Sequence, residues 1–192
     1  HAGVAPDQGV SAITIASLAI ASLLEDGWHG LVEKKSKRGT SNIGVIQGGA
    51  ATNVVAESVT LRAEARGHDA VFRNRIVRAI EKAFKKAVNQ VKSSSGRKGT
   101  VSISKRLDYE AFRLNKNEPS VRTAHKVLET LGHKPYYDIS NGGLDANWMA
   151  ANGIPTVTLG CGQHAIHTTN EWLDLKTYKD ACRTAIMLAT MD

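Results

Sequence analysis

The sequence has 192 residues, of which 42% are hydrophobic and 22% charged, which suits one domain or two small ones with a real core and excludes a disordered chain. Its most apolar stretch, residues 9–24, is interrupted by Ser and Thr side chains and falls short of the roughly 18 apolar residues that cross a bilayer, so we interpret it as a buried helix and exclude a membrane-spanning protein. The net charge is +7, and the whole excess lies in residues 1–110, which contain 17 Lys and Arg against 10 Asp and Glu.

This positive charge allows two interpretations. A basic face can bind nucleic acid or another polyanion, and it can also be a solvated helix face next to a basic loop. Aromatic residues make up only 5% of the chain and are not interleaved with the cations, which disfavours a base-stacking surface. We adopt the solvated face, and nucleic acid is not an expected partner.

Cysteine usage indicates a reducing compartment. Cys161 and Cys182 are too few for a disulfide framework and do not form a CxxC pair, so we expect free thiols and a cytoplasmic protein. The chain begins at His1 without an apolar leader, so no signal peptide is predicted, although a segment upstream of His1 could have carried one.

Hydrophobic patterning predicts a mixture of helices and strands in the first part of the chain. Residues 59–66 alternate apolar and polar side chains, as a half-buried strand does, and residues 70–92 carry an apolar stripe at helical spacing. The predicted order is helix, basic loop, strand, strand, helix, strand. One more strand before His1 would complete the β-α-β-β-α-β order of a ferredoxin-like domain. The segments are residues 9–24, 28–39, 42–47, 59–66, 70–92 and 100–109.

The second part of the chain alternates helices with short strands, which is typical of an α/β sheet covered by helices. So short a sheet leaves strand edges unpaired, which predicts that more sheet is missing. The predicted fold class is therefore α/β and α+β, with a ferredoxin-like domain over residues 1–110 and part of an α/β domain over residues 111–192. The segments of the second part are residues 118–131, 136–139, 145–151, 155–159 and 173–191, with strands at 136–139 and 155–159.

A loop rich in Gly and His follows the strand predicted at 155–159. It contains His164 and His167 three positions apart, at the edge where open α/β sheets bind ligands. Either imidazole could ligate a metal, and either could be an ordinary surface histidine. A catalytic zinc takes about three protein ligands, so other residues would have to complete the site.

A second glycine-rich stretch, Asn141 to Asn147, also follows a predicted strand. Paired glycines at Gly142 and Gly143 let backbone approach a ligand closely. Asp145 is interpreted as the cap of the next helix. Three further features are weak when taken singly: the His1-Ala-Gly opening, Asn53 as a turn residue, and Arg66 as a strand charge.

Taken in this order, the stretches resemble the M20 family of metallopeptidases, particularly its branch similar to tripeptide aminopeptidases. Members carry a His-Ala-Gly opening in a lid domain, then an Asn-Val-Val or Asn-Val-Pro turn and an Arg that closes the next strand. Here Arg66 follows Asn53 by thirteen residues, and a Gly-Gly-x-Asp-Ala element and a late His-Thr-x-x-Glu follow, so the resemblance covers essentially the whole chain. It implies a lid or dimerisation domain over residues 1–110 and the carboxy-terminal part of a metal-dependent catalytic domain over residues 111–192.

The resemblance implies a role for five residues. His167 corresponds to a metal ligand, and His1 to the lid histidine that reaches across a dimer to the scissile carbonyl oxygen of the partner's substrate. Asn53 would help to bind that region from the lid. Arg66 would clamp a substrate carboxylate, which a planar guanidinium suits. Gly143 would line the substrate pocket with its backbone.

The resemblance also implies cofactors and partners. It predicts two divalent metal ions, with zinc as the expected metal, and at most one ligand from this chain; His and carboxylate ligands accept several metals, so the metal identity stays open. A metal-bridged water would attack the carbonyl while lid donors stabilise the oxyanion. The substrate would be a small peptide or an N-acyl amino acid, and the protein a homodimer through its lid domain.

The sequence departs from the family pattern at several points. Leu144 stands where many members have Ser or Thr, and Glu64 stands where they have Asp. The family's upstream His-x-Asp, bridging Asp, Glu-Glu pair and next carboxylate ligand do not occur in this sequence, so the chain is expected to be inactive alone. The first hypothesis is a metal-dependent hydrolase of peptide or N-acyl amide bonds. The alternative is a non-catalytic dimerisation or polyanion-binding module built on the basic ferredoxin-like domain.

Overall fold

The computed structural model of this protein describes residues 1–191 and divides into two compact units between Ala111 and Phe112. The first unit contains α1, β1, β2, β3 and α2, which are Ala12–Glu25, Gly30–Lys34, Lys37–Gly48, Val59–Arg66 and Ala70–Gln90. The second contains α3, α4, β4, β5 and α5, which are Pro119–Thr130, Asp145–Ala151, Gln163–His164, Trp172–Leu173 and Leu175–Thr190.

The first unit is built on a three-stranded antiparallel sheet in the order β1-β2-β3. A two-residue turn joins β1 to β2, and its first residue, Lys35, adopts a φ of 58°. β2 pairs with β3 from Thr40↔Arg66 to Gly48↔Val59, with a register shift between Ile43 and Val45. The sheet is therefore two hairpins that share β2.

Two helices cover one face of this sheet. Ser11 caps α1 by accepting a hydrogen bond from the backbone N of Thr14 (3.2 Å), and Asp69 caps α2 by accepting one from the backbone N of Phe72 (2.8 Å); side-chain caps of this kind satisfy amides that the first helical turn leaves unpaired. The helices pack against each other through a buried apolar cluster. Its members are Ile15, Ala16, Ala19, Leu23, Ala83, Phe84, Ala87 and Val88.

A second, smaller cluster joins the start of α2 to the first strand. Val32, Phe72 and Ile76 are each at most 1% exposed, and Trp28 packs beside them with its ring centroid 6.4 Å from that of Phe72. The prediction of a basic loop at residues 28–39 is therefore wrong, because β1 and the start of β2 occupy it. The charged side chains of this edge strand masked the strand pattern in the sequence, so the hairpin was not predicted. Natural sheets often carry such charges on their edge strands because the charges prevent aggregation.

The prediction of a strand at residues 100–109 is also wrong. Val101 packs against the helix cluster, and ion pairs Lys105–Glu81 (2.5 Å) and Arg73–Glu110 (2.6 Å) hold the segment to α2. No strand of the described chain pairs with it, and the bridge Lys92↔Lys98 lies just before it. An alternating pattern becomes a strand only when a neighbouring backbone completes the hydrogen-bond ladder.

The two helices differ in what their outer faces carry. The buried-helix interpretation of residues 9–24 holds for one side of α1 only, because Ile13 (44%), Leu18 (40%) and Leu24 (58%) are exposed. The outer face of α2 is charged, as the interpretation of a solvated basic helix predicts. Its exposed cations are Arg75, Arg78, Lys82, Lys85 and Lys86.

The second unit consists of three helices and a very short hairpin. α3 and α5 pack on each other, and Val121, Ala124 and Val127 are buried on α3. Gly132 ends α3 with a φ of 81°, which is the left-handed conformation that glycine adopts after many helices. Residues 136–139 and 155–159 form no strand here, so both strand predictions are wrong for the described chain, where no backbone pairs with these segments. No helix of residues 1–191 is long and apolar enough to span a membrane.

Candidate functional site

The first candidate site lies where the chain opens, beside the turn between β2 and β3. The backbone N of Ala2 donates a 2.8 Å hydrogen bond to the carbonyl oxygen of Asn53, which brings the segments of His1 and Asn53 together. Nδ1 of His1 accepts from the backbone N of Gly3 at 3.2 Å, and the His1 carbonyl oxygen accepts from the backbone N of Ala5 at 3.0 Å. The exposed imidazole of His1 is therefore presented by a tight, internally bonded turn.

A groove of about 540 Å³ adjoins this turn. Its walls come from the opening loop, the start of α1, the loop between β2 and β3, and the end of α2. Asp7 and Lys92 are its only charged residues, and Ile13 and Val54 are exposed apolar side chains on its wall. The groove can therefore accept apolar surface next to the turn that carries His1.

Arg66 lies at the other end of the sheet. It is the last residue of β3, seven positions after Val59, so the two ends are roughly 23 Å apart at the usual rise of a strand. Its guanidinium donates to the carboxylate of Glu64 from Nε (3.2 Å) and from Nη2 (2.9 Å). These hydrogen bonds raise the pKa of Arg66 above its usual value, against the opposing effect of its partial burial. The structure thus joins His1 to Asn53 and separates both from Arg66.

The loop of His167 lies between β4 and β5 in the second unit. Gln163 pairs with Leu173 and His164 with Trp172, and the His164 ring stacks on the indole with ring centroids 4.1 Å apart. Within the loop, Oγ1 of Thr168 donates to the Ala165 carbonyl oxygen at 2.7 Å. The hairpin therefore gives His164 a structural contact and holds the His167 loop in a defined shape.

His167 itself adopts an uncommon backbone conformation. Its φ is 64°, in the left-handed region that side chains other than glycine rarely occupy. The backbone N of His167 donates a 2.9 Å hydrogen bond to Oε2 of Glu171, which fixes this conformation and leaves the side chain exposed. Local strain of this kind persists where the surroundings impose it, and it is concentrated at functional sites.

Asp174 joins this loop to α5, although the sequence interpretation did not single it out. Its backbone N donates to the Gly162 carbonyl oxygen at 2.8 Å, and Oδ1 accepts from the backbone N of Thr177 at 2.7 Å. The bond from Thr177 is the main reason that the pKa of Asp174 lies below its usual value. An Asp directly before an apolar helical run is a helix-start signal that could have identified it.

Residues 1–191 contain no group of three or more His, Cys, Asp and Glu placed to hold a metal ion. The candidate ligand His167 is an exposed imidazole, and the carboxylate nearest to it in the loop, Glu171, is engaged by the His167 backbone. This donor set fits one ligand of a metal site, not a complete one.

Gly143 lies on a different loop of the second unit from His167, just before α4. Leu144 takes the cap position of α4, and its backbone N donates to Oδ1 of Asn147 at 3.0 Å. Asp145 is the first helical residue, so its interpretation as the cap is wrong; the cap position is Leu144, and Asn147, only 7% exposed, supplies the side-chain bond. Gly143 is therefore exposed just before a helix whose first turn is fixed by a buried side-chain amide.

Comparisons with known proteins agree with the resemblance derived from these residues. The M20 peptidase dimerisation domain matches residues 1–92. Aminopeptidase PepT from Bacillus cereus is 34% identical, with a TM-score of 0.72, over 98% of this chain and 47% of that chain. A tripeptidase from Staphylococcus aureus is 35% identical, with a TM-score of 0.76, over 98% of this chain and 47% of that chain. The uncharacterized protein YqjE of Bacillus subtilis (strain 168) is 34% identical over 191 residues, which is 47% of its length.

Residues 1–92 belong to the dimerisation-domain family of the M20 peptidases, and the similarity of nearly the whole chain to an aminopeptidase and a tripeptidase agrees with this assignment. Its mixed α/β fold with a small antiparallel sheet confirms the predicted class. The chain spans about half the length of the relatives it matches, 47% in each of the three.

Proposed function

We propose that this chain forms part of a metal-dependent hydrolase that cleaves peptide or N-acyl amide bonds in the manner of an aminopeptidase, in the cytoplasm. The observation that carries the proposal is His167, which an internal hydrogen bond to Glu171 holds at a φ of 64° with an exposed side chain. Backbone conformations of this kind are concentrated at functional sites, which supports a role for His167. Relatives that are a tripeptidase and an aminopeptidase support the class of substrate.

Each candidate residue then has a task that its surroundings allow. His167 supplies one neutral imidazole to a site that takes two divalent ions, zinc in our proposal, which would lower the pKa of a bound water and polarise the carbonyl. Arg66 offers two parallel donors to a substrate carboxylate once Glu64 gives way. The backbone of Gly143 lines the pocket, where no side chain obstructs a substrate.

His1 and Asn53 act together because Ala2 ties their segments to each other. Their separation from Arg66 along β3 means that one lid sheet presents a donor pair at one end and a clamp at the other. In a homodimer the donor pair would serve the partner's active site and stabilise the negative charge that develops on the carbonyl oxygen. We propose this homodimer, through residues 1–110, as part of the function. Alone, the chain supplies one ligand only, and we expect it to be inactive.

The test uses the protein with any residues that precede His1 included. Tripeptides and N-acyl amino acids are assayed before and after treatment with a chelator, and bound metal is measured directly. His167→Ala is expected to lose metal and at least about 100-fold in activity. His164→Phe is the matched control, since it keeps a ring to stack on Trp172 but removes the ligand nitrogens. Activity and metal content that survive both chelation and His167→Ala would exclude the proposal.

A second candidate function rests on the exposed cations of α2. Arg75, Arg78 and Lys82 follow one another at helical spacing on its outer face, so the domain could instead be a module that binds a polyanion without catalysis. Such binding would weaken steeply with salt. Titration of a short RNA at low and high salt separates the two candidates, because the hydrolase requires no such affinity.

A further inference from the structure

The loop that precedes α4 contains an Asn-Gly dipeptide, and a second one lies at the end of the same helix. They are Asn141-Gly142 and Asn152-Gly153, and a residue with a side chain follows every other asparagine of the chain. Because glycine has no Cβ, its backbone can approach neighbouring groups closely. In an Asn-Gly dipeptide the backbone N of the glycine can therefore reach Cγ of the asparagine, and this approach is the first step of asparagine deamidation.

The dipeptide Asn152-Gly153 is held by the end of α4. Nδ2 of Asn152 donates to the Trp148 carbonyl oxygen at 2.8 Å, and the backbone N of Gly153 donates to the Ala150 carbonyl oxygen at 3.0 Å. Gly153 has a φ of 78°, in the left-handed region that other residues rarely occupy, so the end of the helix requires a glycine here. Attack on Cγ of Asn152 would require this end of the helix to open.

The dipeptide Asn141-Gly142 lies outside any helix or strand, and both of its residues are exposed. The backbone N of Gly142 donates to Oγ of the exposed Ser140 at 3.1 Å. A surface hydroxyl can rotate and water can replace it, so this hydrogen bond costs little to break. The φ of Gly142 lies outside the left-handed region, so the backbone does not require a glycine at this position.

We propose that Asn141 is a deamidation site built into the loop that presents Gly143. The backbone N of Gly142 loses its proton to solvent and forms a bond to Cγ of Asn141, and the bond between Cγ and Nδ2 breaks as ammonia leaves with a proton taken from solvent. The cyclic imide then takes up a water molecule at either of its carbonyls. The products are aspartate, with an unchanged main chain, and isoaspartate, in which the main chain runs through the former side chain.

Either product changes the surroundings of Gly143, which follows Gly142 directly. A carboxylate replaces the neutral amide of Asn141, and isoaspartate adds one carbon to the main chain, which lengthens the loop by roughly 1.5 Å. A displacement of about 1 Å in a positioned group can lower a reaction rate about 100-fold. This consequence rests on the hydrolase proposed above, in which Gly143 lines the substrate pocket. On that basis, deamidation limits the time for which each enzyme molecule stays active.

Peptide mapping by mass spectrometry tests the site itself. The protein, with any residues that precede His1 included, is incubated in mildly alkaline buffer, and the peptides that contain Asn141 and Asn152 are compared in the same digest. Asn141 is expected to deamidate at least about tenfold faster, because only Asn152 requires a helix end to open. A synthetic peptide of residues 138–146 gives the rate without a fold. Equal rates at the two asparagines, or a rate at Asn141 more than about tenfold below that of the peptide, would overturn the proposal.

Two variants and a matched control test the chemistry. Asn141→Gln keeps a side-chain amide but places it one carbon further from the main chain, so modification at this position should nearly stop. Gly142→Ala adds a Cβ that hinders the approach to Cγ and should slow deamidation about tenfold; this Cβ would lie 3.3 Å from Oγ of Ser140, which can rotate away. Asn152→Gln is the control and should leave the time course at Asn141 unchanged. Undiminished deamidation in Gly142→Ala would overturn the attack by the Gly142 amide.

Activity toward a tripeptide, relative to the starting value of each protein, separates the site from its consequence. Activity should fall in step with the modified fraction of Asn141 and should persist in Asn141→Gln. Equal loss of activity in the two proteins would overturn the effect on the Gly143 loop, while the mass measurement still decides whether the site exists. A protein that cleaves no peptide even before incubation would overturn the proposed hydrolase, and the consequence with it, but would leave the deamidation site in place.

Discussion

The two units of this chain bury their apolar side chains to very different degrees. Within residues 1–191, the first unit contains twelve of the buried hydrophobic residues and the second only four. Large hydrophobic side chains that remain exposed number ten in the first unit and fourteen in the second, although the second is shorter. Since burial of apolar surface is the main source of stability, the first unit should be the more cohesive.

The difference follows from how each unit is layered. In the first unit, α1 and α2 both pack on the same three-stranded sheet. Two layers of secondary structure around one hydrophobic core are the smallest stable arrangement of a domain. In the second unit the helices have only strands of two residues each beside them. Large aromatic side chains of this unit, Trp148, Trp172 and Tyr178, therefore remain about half exposed.

The largest expected effect is on the core of the first unit. Phe72 is 1% exposed and packs with Val32 and Ile76, so Phe72→Ala should reduce the free energy of unfolding by about 3–5 kcal/mol. The neighbouring Val71 is 71% exposed, and Val71→Ala should change it by less than about 0.5 kcal/mol. Urea titration followed by circular dichroism measures both. Equal effects of the two variants would mean that this unit has no fixed core.

A smaller effect is expected from the equivalent change in the second unit. Val127 is 0% exposed on α3, and Val127→Ala should cost about 2 kcal/mol, from the apolar surface that it no longer buries. Thr123→Ala, on the exposed side of the same helix, is its control. A loss as large as that of Phe72→Ala, in the same titration, would contradict the contrast between the two units.

Helices were more predictable from the sequence than strands, for a physical reason. The helix predicted at residues 70–92 runs from Ala70 to Gln90, and the helix predicted at 118–131 runs from Pro119 to Thr130. Helical hydrogen bonds and caps are local, so spacing and cap residues determine them. A strand needs a partner backbone, and segments 100–109, 136–139 and 155–159 have no strand partner within residues 1–191.

Local backbone geometry at the candidate site was less predictable. The positive φ values of Lys35, Ala165 and His167 occur without the Gly or Asn that normally announces them. The order of the short motifs led to the same family as the comparisons, although each motif is weak alone. The roles of His1, Asn53, Arg66, Gly143 and His167 stay predictions, since they depend on groups that this chain does not contain.

The next largest effect on the free energy of unfolding is expected at Gly162, just before the hairpin that carries the His167 loop. Gly162 adopts a φ of 87°, and a Cβ there would lie 2.9 Å from the Asp174 carbonyl oxygen. Gly162→Ala should therefore cost about 1–2 kcal/mol for the left-handed conformation alone and should lower the affinity for the metal ion proposed above by moving the loop. At Gly160 nothing lies within 4 Å of such a Cβ, so Gly160→Ala is the control. Thermal unfolding and bound metal are the measurements, and identical results for the two variants would oppose a fixed loop.

The pH dependence of the second unit should depend in part on Asp174. Its folded pKa is depressed, first by the backbone bond from Thr177, so the ionised carboxylate stabilises the fold above the unfolded pKa of about 3.9. That contribution is lost as the pH falls through the lower, folded pKa. Asp174→Asn still caps the helix but does not titrate, so its melting temperature should fall less between pH 5 and pH 2. An unchanged slope would show that other carboxylates dominate.

The smallest expected effect on stability lies on the charged side of the first unit. Glu64 and Arg66 remain 53% and 36% exposed as side chains, and exposed pairs of this kind contribute about 0–1 kcal/mol. Glu64→Gln should therefore barely change unfolding, in contrast to Phe72→Ala. A small effect of Glu64→Gln beside a large effect of Phe72→Ala would show that the apolar core, and not the surface charges, stabilises this unit. The charged side chains could then serve binding.

The same variant tests the proposed clamp, because Glu64 occupies the donors of Arg66 that a substrate carboxylate would need. Glu64→Gln keeps the side-chain size and weakens this competition, so the KM for substrates with a free carboxylate should fall about two- to fivefold, with kcat unchanged. Glu57→Gln, just before β3 begins, is the control and should leave KM alone. If KM instead rises, Glu64 holds the guanidinium in its binding position, and the residue is a support for the clamp, not its competitor. If neither variant changes KM, Arg66 does not bind the substrate carboxylate.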